Sequence, residues 1–188
     1  MSNIAMQGGA TGSGTVTLLA PSTSTNRTIN LPDSNGTILT TATAGVPVNG
    51  PAFSAYLSAN QSITTSTATK ILFDTEVFDT NSCFASSRFT PTAAGYYQVN
   101  AALIGIATGT SITVCQCTIY KNGSFYIYGT DPRGLTLSST TSVASSLIYM
   151  NGSTDYLEVY AYITATSPIV YSGSASTTFQ AAMVRSAV

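Results

Sequence analysis

The side chains of this 188-residue sequence able to do chemistry are seven carboxylates, three thiols and eleven tyrosines; histidine is absent. Without histidine there is neither a Ser-His-Asp arrangement nor a His-containing zinc site. The carboxylates are Asp33, Asp74, Glu76, Asp79, Asp131, Asp155 and Glu158. Hydrolysis of a glycoside needs two of them facing each other across a bound sugar. Asp74, Glu76 and Asp79 are clustered, but the period-two geometry of a strand puts Asp74 and Glu76 on one face, side by side. A calcium ion held by Asp74, Glu76 or Asp131 with backbone carbonyls is the alternative these residue types leave open. The expectation is no catalytic residue, no metal site and no cofactor.

Cys115 and Cys117 sit at i and i+2, on one strand face and too far apart for easy bridging, while Cys83 is distant in sequence. Three thiols form no even framework, so buried structural cysteines are expected. Among the tyrosines, Tyr126 and Tyr128 are expected to share one face. Tyr156, Tyr160 and Tyr162 share another, opposite the aliphatic side of their strand. Rigid aromatics with a polar tip suit both subunit interfaces and saccharide stacking.

The composition narrows the partners. Six basic and seven acidic residues give a formal charge of −1, and only 7% of the chain is charged, against roughly a quarter in ordinary domains. Polyanion binding needs clustered Lys and Arg, so no nucleic-acid partner is expected. No apolar run reaches the roughly 18 residues that span a bilayer, and no secretory segment follows Met1, so no membrane insertion is expected. Hydrophobic residues make up 44%, enough for a core. Ser and Thr supply nearly three residues in ten, and such a surface tolerates burial against other subunits better than one of Lys and Glu. This is the composition of an assembly component. Asn-x-Ser/Thr triplets at Asn26, Asn35, Asn60, Asn122 and Asn151 are expected by chance in so Ser/Thr-rich a chain.

Four segments follow along the sequence. Residues 1–14 are Gly-rich and aperiodic, and are expected to rest against another protein as an anchor. Residues 15–39 carry two alternating runs, Thr15-Val16-Thr17-Leu18 and Arg27-Thr28-Ile29-Asn30-Leu31, punctuated by Pro21, Pro32 and the turn pair Asn35-Gly36. So short a β module cannot bury a core alone and must be completed by copies of itself. Residues 40–50 read as a linker. From 51 to 188 the pattern is β throughout. Tyr97, Val99, Ala101 and Leu103 alternate with polar or small residues, as do Leu157, Val159, Ala161 and Ile163. Further strands are expected at Ile71–Phe73, Ser86–Thr90, Ile112–Tyr120, Phe125–Tyr128, Ser142–Met150, Ile169–Tyr171 and Phe179–Arg185. Turn signals at Asn122-Gly123, Asp131-Pro132 and Asn151-Gly152 separate them. Eight to ten short strands without a helical period mean a sandwich or jelly roll.

Phe73, Asp79, Phe84, Phe89, Gly95 and Tyr97 occur in the order and nearly the spacing of the complement C1q-like globular head, a relative of the tumour-necrosis-factor jelly roll. Arg88 to Tyr97 (RFTPTAAGYY) resembles the family's central F-x-P-x-x-G-x-Y block. Tyr120-Lys121-Asn122-Gly123, Leu147 to Leu157, and Phe179 to Val184 resemble its NG hairpin, its later L-x-x-G-D-x-V strand and its closing strand. The chain departs from that pattern in a short Phe84–Phe89 gap, in Val99 and Ala101 where aromatics are common, and in Ser153-Thr154-Asp155 replacing a tight Gly-Asp. Residues 15–39 resemble a "TVTL-x-AP … T-x-LP … GTL" module that bacteriophage tail fibres place before larger domains.

These resemblances imply an all-β, C1q/TNF-like jelly-roll sandwich at 51–188, preceded by a short intertwined β module and assembled as a homotrimer. The implied protein is not an enzyme. It is a virion structural component on the tail or capsid surface, made in the host cytoplasm and joined to other virion proteins through residues 1–14. A short tail fibre with a host-glycan-binding head is the first expectation; capsid decoration or a head fibre that stabilises the shell is the second. Receptor contact is expected at Tyr126, Tyr128, Asp131 and Arg133. The trimer interface is expected at Tyr156, Tyr160 and Tyr162, because a trimeric jelly roll buries such a face.

Overall fold

The structure is a computed structural model that describes residues 50–109 and 111–187. The expected anchor, the neck module and the linker up to residue 49 lie outside the described residues, as does Asp33. In chain order the strands are β1 (Ala52–Tyr56), β2 (Gln61–Ser62), β3 (Thr69–Lys70), β4 (Thr75–Asp79), β5 (Phe84–Ala85), β6 (Arg88–Phe89) and β7 (Ala94–Ala107). They continue with β8 (Ile112–Lys121), β9 (Ser124–Tyr128), β10 (Arg133–Leu137), β11 (Ser139–Asn151), β12 (Leu157–Thr164), β13 (Pro168–Val170) and β14 (Thr178–Ser186). No helix occurs among the described residues.

The strands make two antiparallel sheets. In the first, β7 pairs with β11 on one side and with β14 and β13 on the other; β14 leads to β1 and then β4, and β13 to β2. In the second, β8 pairs with β12 on one side and with β9 and β10 on the other, and β12 leads to β3, β6 and β5. The alternation read from the sequence positions them face to face. Tyr97, Val99, Ala101 and Leu103 of β7 and Leu157, Val159, Ala161 and Ile163 of β12 are all buried. Cys115, Cys117 and Ile119 of β8 fill the space between.

The family-like positions are core and corner residues. Phe73, Phe84, Phe89 and Tyr97 are buried, and Tyr97 donates its hydroxyl to Ala93 O at 2.7 Å. Asp79 closes the short loop after β4 by accepting from the backbone N–H of Asn81 and Phe84 and from Cys83 Sγ. Where Ser153-Thr154-Asp155 stands in place of a tight turn, Asn151 Oδ1 accepts three successive N–H groups, each at 3.0 Å. Asp155 then ties this loop to the NG hairpin through Asn122 at 2.8 Å and Lys121 at 2.9 Å. That hairpin turns where expected, with positive φ at both Asn122 (54°) and Gly123 (75°).

Three expectations are corrected. The strand expected at Ser86–Thr90 is a two-residue β6 facing β5, because Ser86 and Ser87 both adopt positive φ and turn the chain. The strand expected at Ile71–Phe73 lies two residues earlier as β3, with Ile71 and Phe73 anchored in the core beyond it. The expected eight to ten strands are fourteen among the described residues, because several are two- and three-residue pairings.

At Gly95 a Cβ would stand 2.5 Å from Arg185 O across the β7–β14 pairing. Gly95→Ala is therefore expected to destabilise the fold by about 1–3 kcal/mol, read as a lower urea midpoint with an unchanged slope.

Candidate functional site

The outward face of the second sheet is built by parity. With Cys115, Cys117 and Ile119 pointing in, β8 must point Val114, Gln116, Thr118 and Tyr120 out. The antiparallel register sets Tyr162 beside Gln116, Tyr160 beside Thr118 and Glu158 beside Tyr120. On the other side Phe125 stands opposite Tyr120, Tyr128 opposite Thr118 and Arg133 opposite Val114. Among the described residues, no strand residue stands opposite Gln116 on that side. Between Tyr128 and Arg133 the chain leaves the sheet, and Thr130 pairs with Val143 of β11, donating its N–H to Val143 O at 2.8 Å and accepting the Val143 N–H on Oγ1 at 2.9 Å. Gly129 allows this departure, because a Cβ there would collide with the Val143 backbone.

A cavity of about 400 Å³ results, within the roughly 300–1,000 Å³ of small-molecule sites. Gln116 and Thr118 form its floor, only 7% and 5% exposed, yet neither side chain makes a hydrogen bond among the described residues. Tyr120, Phe125, Tyr128 and Tyr162 wall it, and Arg133 stands at the rim. Phe125 and Tyr128 contact each other at 4.3 Å between ring centroids, and Tyr120 meets Phe125 edge-on at 6.3 Å. Tyr120 also stacks on Tyr160 at 4.1 Å.

The expected receptor residues are divided by this geometry. Tyr128 and Arg133 line the cavity. Asp131 holds Arg133 Nε at 2.6 Å, and its Oδ1 is shielded from solvent without a hydrogen-bond partner among the described residues. Tyr126 does not line the cavity with Tyr128. A bulge in the β8–β9 pairing inserts Tyr126 as the extra residue, so that Phe125 takes the position beside Tyr128. Tyr126 stays exposed outside the cavity. Gln116, Thr118, Tyr120 and Phe125 were not expected from the sequence. The signal for three of them was present in the polar and aromatic positions alternating with the thiols of β8.

Of the tyrosines expected at the trimer interface, Tyr160 and Tyr162 lie on this same sheet and Tyr156 immediately precedes it. Tyr162 walls the cavity, Tyr160 stacks on Tyr120, and Tyr156 lies 3.8 Å under the Arg88 guanidinium. Beside them, Glu158 is buried and shared by two cations, Lys70 Nζ at 2.7 Å and Arg88 Nη2 at 3.0 Å. Burial is the largest single influence on its carboxyl and opposes ionisation. The hydrogen bonds and charges of Lys70 and Arg88 together outweigh it and hold the carboxyl below its ordinary range. Burial likewise pushes the Cys83 and Cys117 thiols up to about 12 and Cys115 to about 11, so all three stay protonated. No group of three metal-ligating side chains occurs among the described residues. Asp74 is engaged by Ser58 and Glu76 is exposed; among the described residues no two carboxylates face each other across the cavity.

No protein-family model and no curated protein matches the sequence. Solved structures do match in shape. The globular domain of zebrafish complement 1qA protein aligns over 74% of this chain and 100% of its own, at 10% identity and a TM-score of 0.54. Murine APRIL aligns over 72% and 100%, at 8% identity and 0.54. Eiger TNF from S. frugiperda aligns over 73% and 96%, at 8% identity and 0.52. The fold is the C1q/TNF-like jelly roll.

Glu158→Gln leaves Lys70 and Arg88 facing each other without a counter-charge, at an expected cost of about 1–3 kcal/mol at neutral pH, limited by their partial exposure. A carboxyl lowered on folding contributes stability above its ordinary value, here 4.5, and loses it as pH falls through the folded value. Denaturation of the wild type should therefore become easier below pH 4.5, and the Glu158→Gln variant should show a shallower acid slope.

Proposed function

We propose that three copies of this chain form the head of a short bacteriophage tail fibre, and that this head binds a host-surface glycan without chemical turnover. The observation that carries the assembly is the outward face of the first sheet. Tyr96, Val143, Leu147, Tyr149 and Val184 are each more than two-fifths exposed there. Between them, Gln98, Asn100 and Ser145 satisfy one another by hydrogen bonds of 2.8–3.3 Å. The pairings of β11, β7 and β14 bring these residues into rows with the uncharged Ala102, Gln180 and Ala182, and set the exposed Arg185 opposite Tyr96 at one end of the patch. A patch of this kind on a single chain marks an interaction surface. The second sheet instead carries Lys70, Arg88, Glu158 and Arg133, which favours water over a second copy. We therefore assign the contact between copies to the first sheet, and leave Tyr160 and Tyr162 to the outer surface.

Phage origin rests on the tail-fibre-like phrases in residues 15–39. Capsid decoration is the second reading, because a surface so poor in charge also suits burial against shell subunits. Antibody raised against residues 51–188 distinguishes them on intact particles: tail labelling supports the fibre, shell labelling the decoration.

The full chain is expected to show three times the chain mass in native mass spectrometry. Leu147→Asp and Tyr149→Asp, both at exposed positions of the single chain, should shift it to monomer at micromolar concentration without loss of the β-sheet circular dichroism. A trimer that survives both, but falls apart on substitution at Tyr156 or Tyr160, would return the interface to the second sheet.

A further inference from the structure

We infer that the cavity over Gln116 is a subsite for one uncharged saccharide unit, which makes the flat outer face of the second sheet, rather than the loop tips, the ligand surface. The inference rests on the reading of this domain as a binding module, and is independent of which part of a particle carries it.

Each part of the cavity answers to one property of a sugar ring. The floor presents an amide and a hydroxyl that belong to residues more than nine-tenths buried and have no partner among the described residues. Neither atom set is sealed, since Asp131 Oδ1 is the one fully shielded side-chain polar atom left without a partner there. Buried polar groups are satisfied in native proteins, so the amide and hydroxyl of Gln116 and Thr118 are directed at whatever fills the cavity. An amide both donates and accepts, as does a hydroxyl, and that duality matches the vicinal hydroxyls of a sugar. It does not match a phosphate, which only accepts.

The walls supply the other half. Phe125 and Tyr128 are about half exposed and lean together over the opening, offering the flat apolar surface on which the C–H face of a pyranose can lie. Tyr162 closes the opposite side, and the phenol groups add further polar tips.

Charge decides against an anionic ligand. Arg133 is the only cation lining the cavity among the described residues, and Asp131 already takes its Nε at 2.6 Å. The neighbouring hollow lined by Lys70 and Arg88 has both cations bound to Glu158. The remaining N–H groups of Arg133, with its charge compensated, suit a neutral hydroxyl or an N-acetyl carbonyl. A paired arginine of this sort orients a ligand without attracting polyanions.

The test uses the full-length protein on a printed array of uncharged oligosaccharides built from hexoses, deoxyhexoses and N-acetylhexosamines, with sialylated and uronic sugars printed beside them, followed by calorimetric titration of the retained sugars. At least one uncharged sugar should be retained, with an affinity that changes little with salt, since no net charge is engaged. Tyr128→Ala and Gln116→Met should each weaken it about tenfold or more, as expected for a central contact. Tyr171→Ala, an exposed aromatic outside the cavity, should leave it unchanged. Gln116→Met keeps the side-chain volume, and Tyr128 is exposed, so native mass and circular dichroism should remain those of the wild type. Retention of no sugar overturns the inference, as does retention that both cavity variants leave intact or that sialylated and uronic sugars dominate. If sugar binding fails while antibody labels the tail, only the subsite is lost. Should sugar bind through the cavity while the shell is labelled, the subsite stands and the tail fibre falls.

Discussion

Phe53 stacks on Phe84 and on Phe89 at 4.6 Å from each, and meets Phe179 edge-on at 4.8 Å. Two of these rings come from the first sheet and two from the second, so the cluster is a rivet through the sandwich. Tyr97 extends it against Phe89 at 5.4 Å, and Phe73 against Phe179 at 5.6 Å. With so few ion pairs, the two sheets are held by apolar burial, to which this aromatic cluster contributes alongside the aliphatic rows of β7, β8 and β12. The cluster also fixes where β1 and β14 lie, hence the rows of residues on the outer face of the first sheet. The family-like residues of the sequence are in large part this rivet: three phenylalanines and a tyrosine that must meet, with a glycine where β14 crosses too closely for a side chain.

Once the inward positions are fixed, the outward ones follow from period two, and the two outer faces acquire different characters. The first sheet turns out small polar groups that satisfy each other amid exposed Leu, Val and Tyr, the composition of a surface that another copy can cover. On the second sheet a carboxylate holds two cations, and beside it tyrosines pack on tyrosines. Among the described residues the ion pairs form three local groups, Lys70, Arg88 and Glu158 in one, Lys121 and Asp155 in another, Arg133 and Asp131 in a third, while Asp74, Glu76, Asp79 and Arg185 lie outside them. Exposed carbonyls and hydroxyls do the rest, and they neither repel a like surface nor demand a counter-ion.

How much of this was legible in the sequence depends on the range of the interaction. The long strands β7, β8, β11, β12 and β14 declare themselves by alternation, and the turns at Asn122-Gly123 and Asn151-Gly152 by their chemistry. The short pairings do not. β1 reads Ala-Phe-Ser-Ala-Tyr, with its three central residues buried, so period two is lost, and β4 exposes Val77 and Phe78 in spite of their apolar character. Ser86 and Ser87 turn the chain through positive φ with no glycine to signal it. The candidate site is the hardest part. Its floor lies on β8, one wall on β12 more than forty residues later, and the opposite wall on a strand whose bulge exchanges Phe125 for Tyr126. Parity from the sequence alone pairs Tyr126 with Tyr128, and only the register of β9 against β8 puts Phe125 at the site instead.

The bulge and Gly129 work together in shaping the site. By inserting Tyr126, the bulge brings Phe125 alongside Tyr128; by lacking a Cβ, Gly129 lets the chain cross to β11 immediately afterwards. A regular β9 continuing along β8 would set a side chain over Gln116 and fill the space. The departure instead opens the sheet at one residue and leaves its amide at the base of an aromatic enclosure. Pairing of Thr130 with Val143 holds that opening rigid, since β11 is itself bonded along its whole length to β7. The cavity is thus not a loop feature but a missing segment of strand, framed by residues whose positions the aromatic core and the two-residue period already determine.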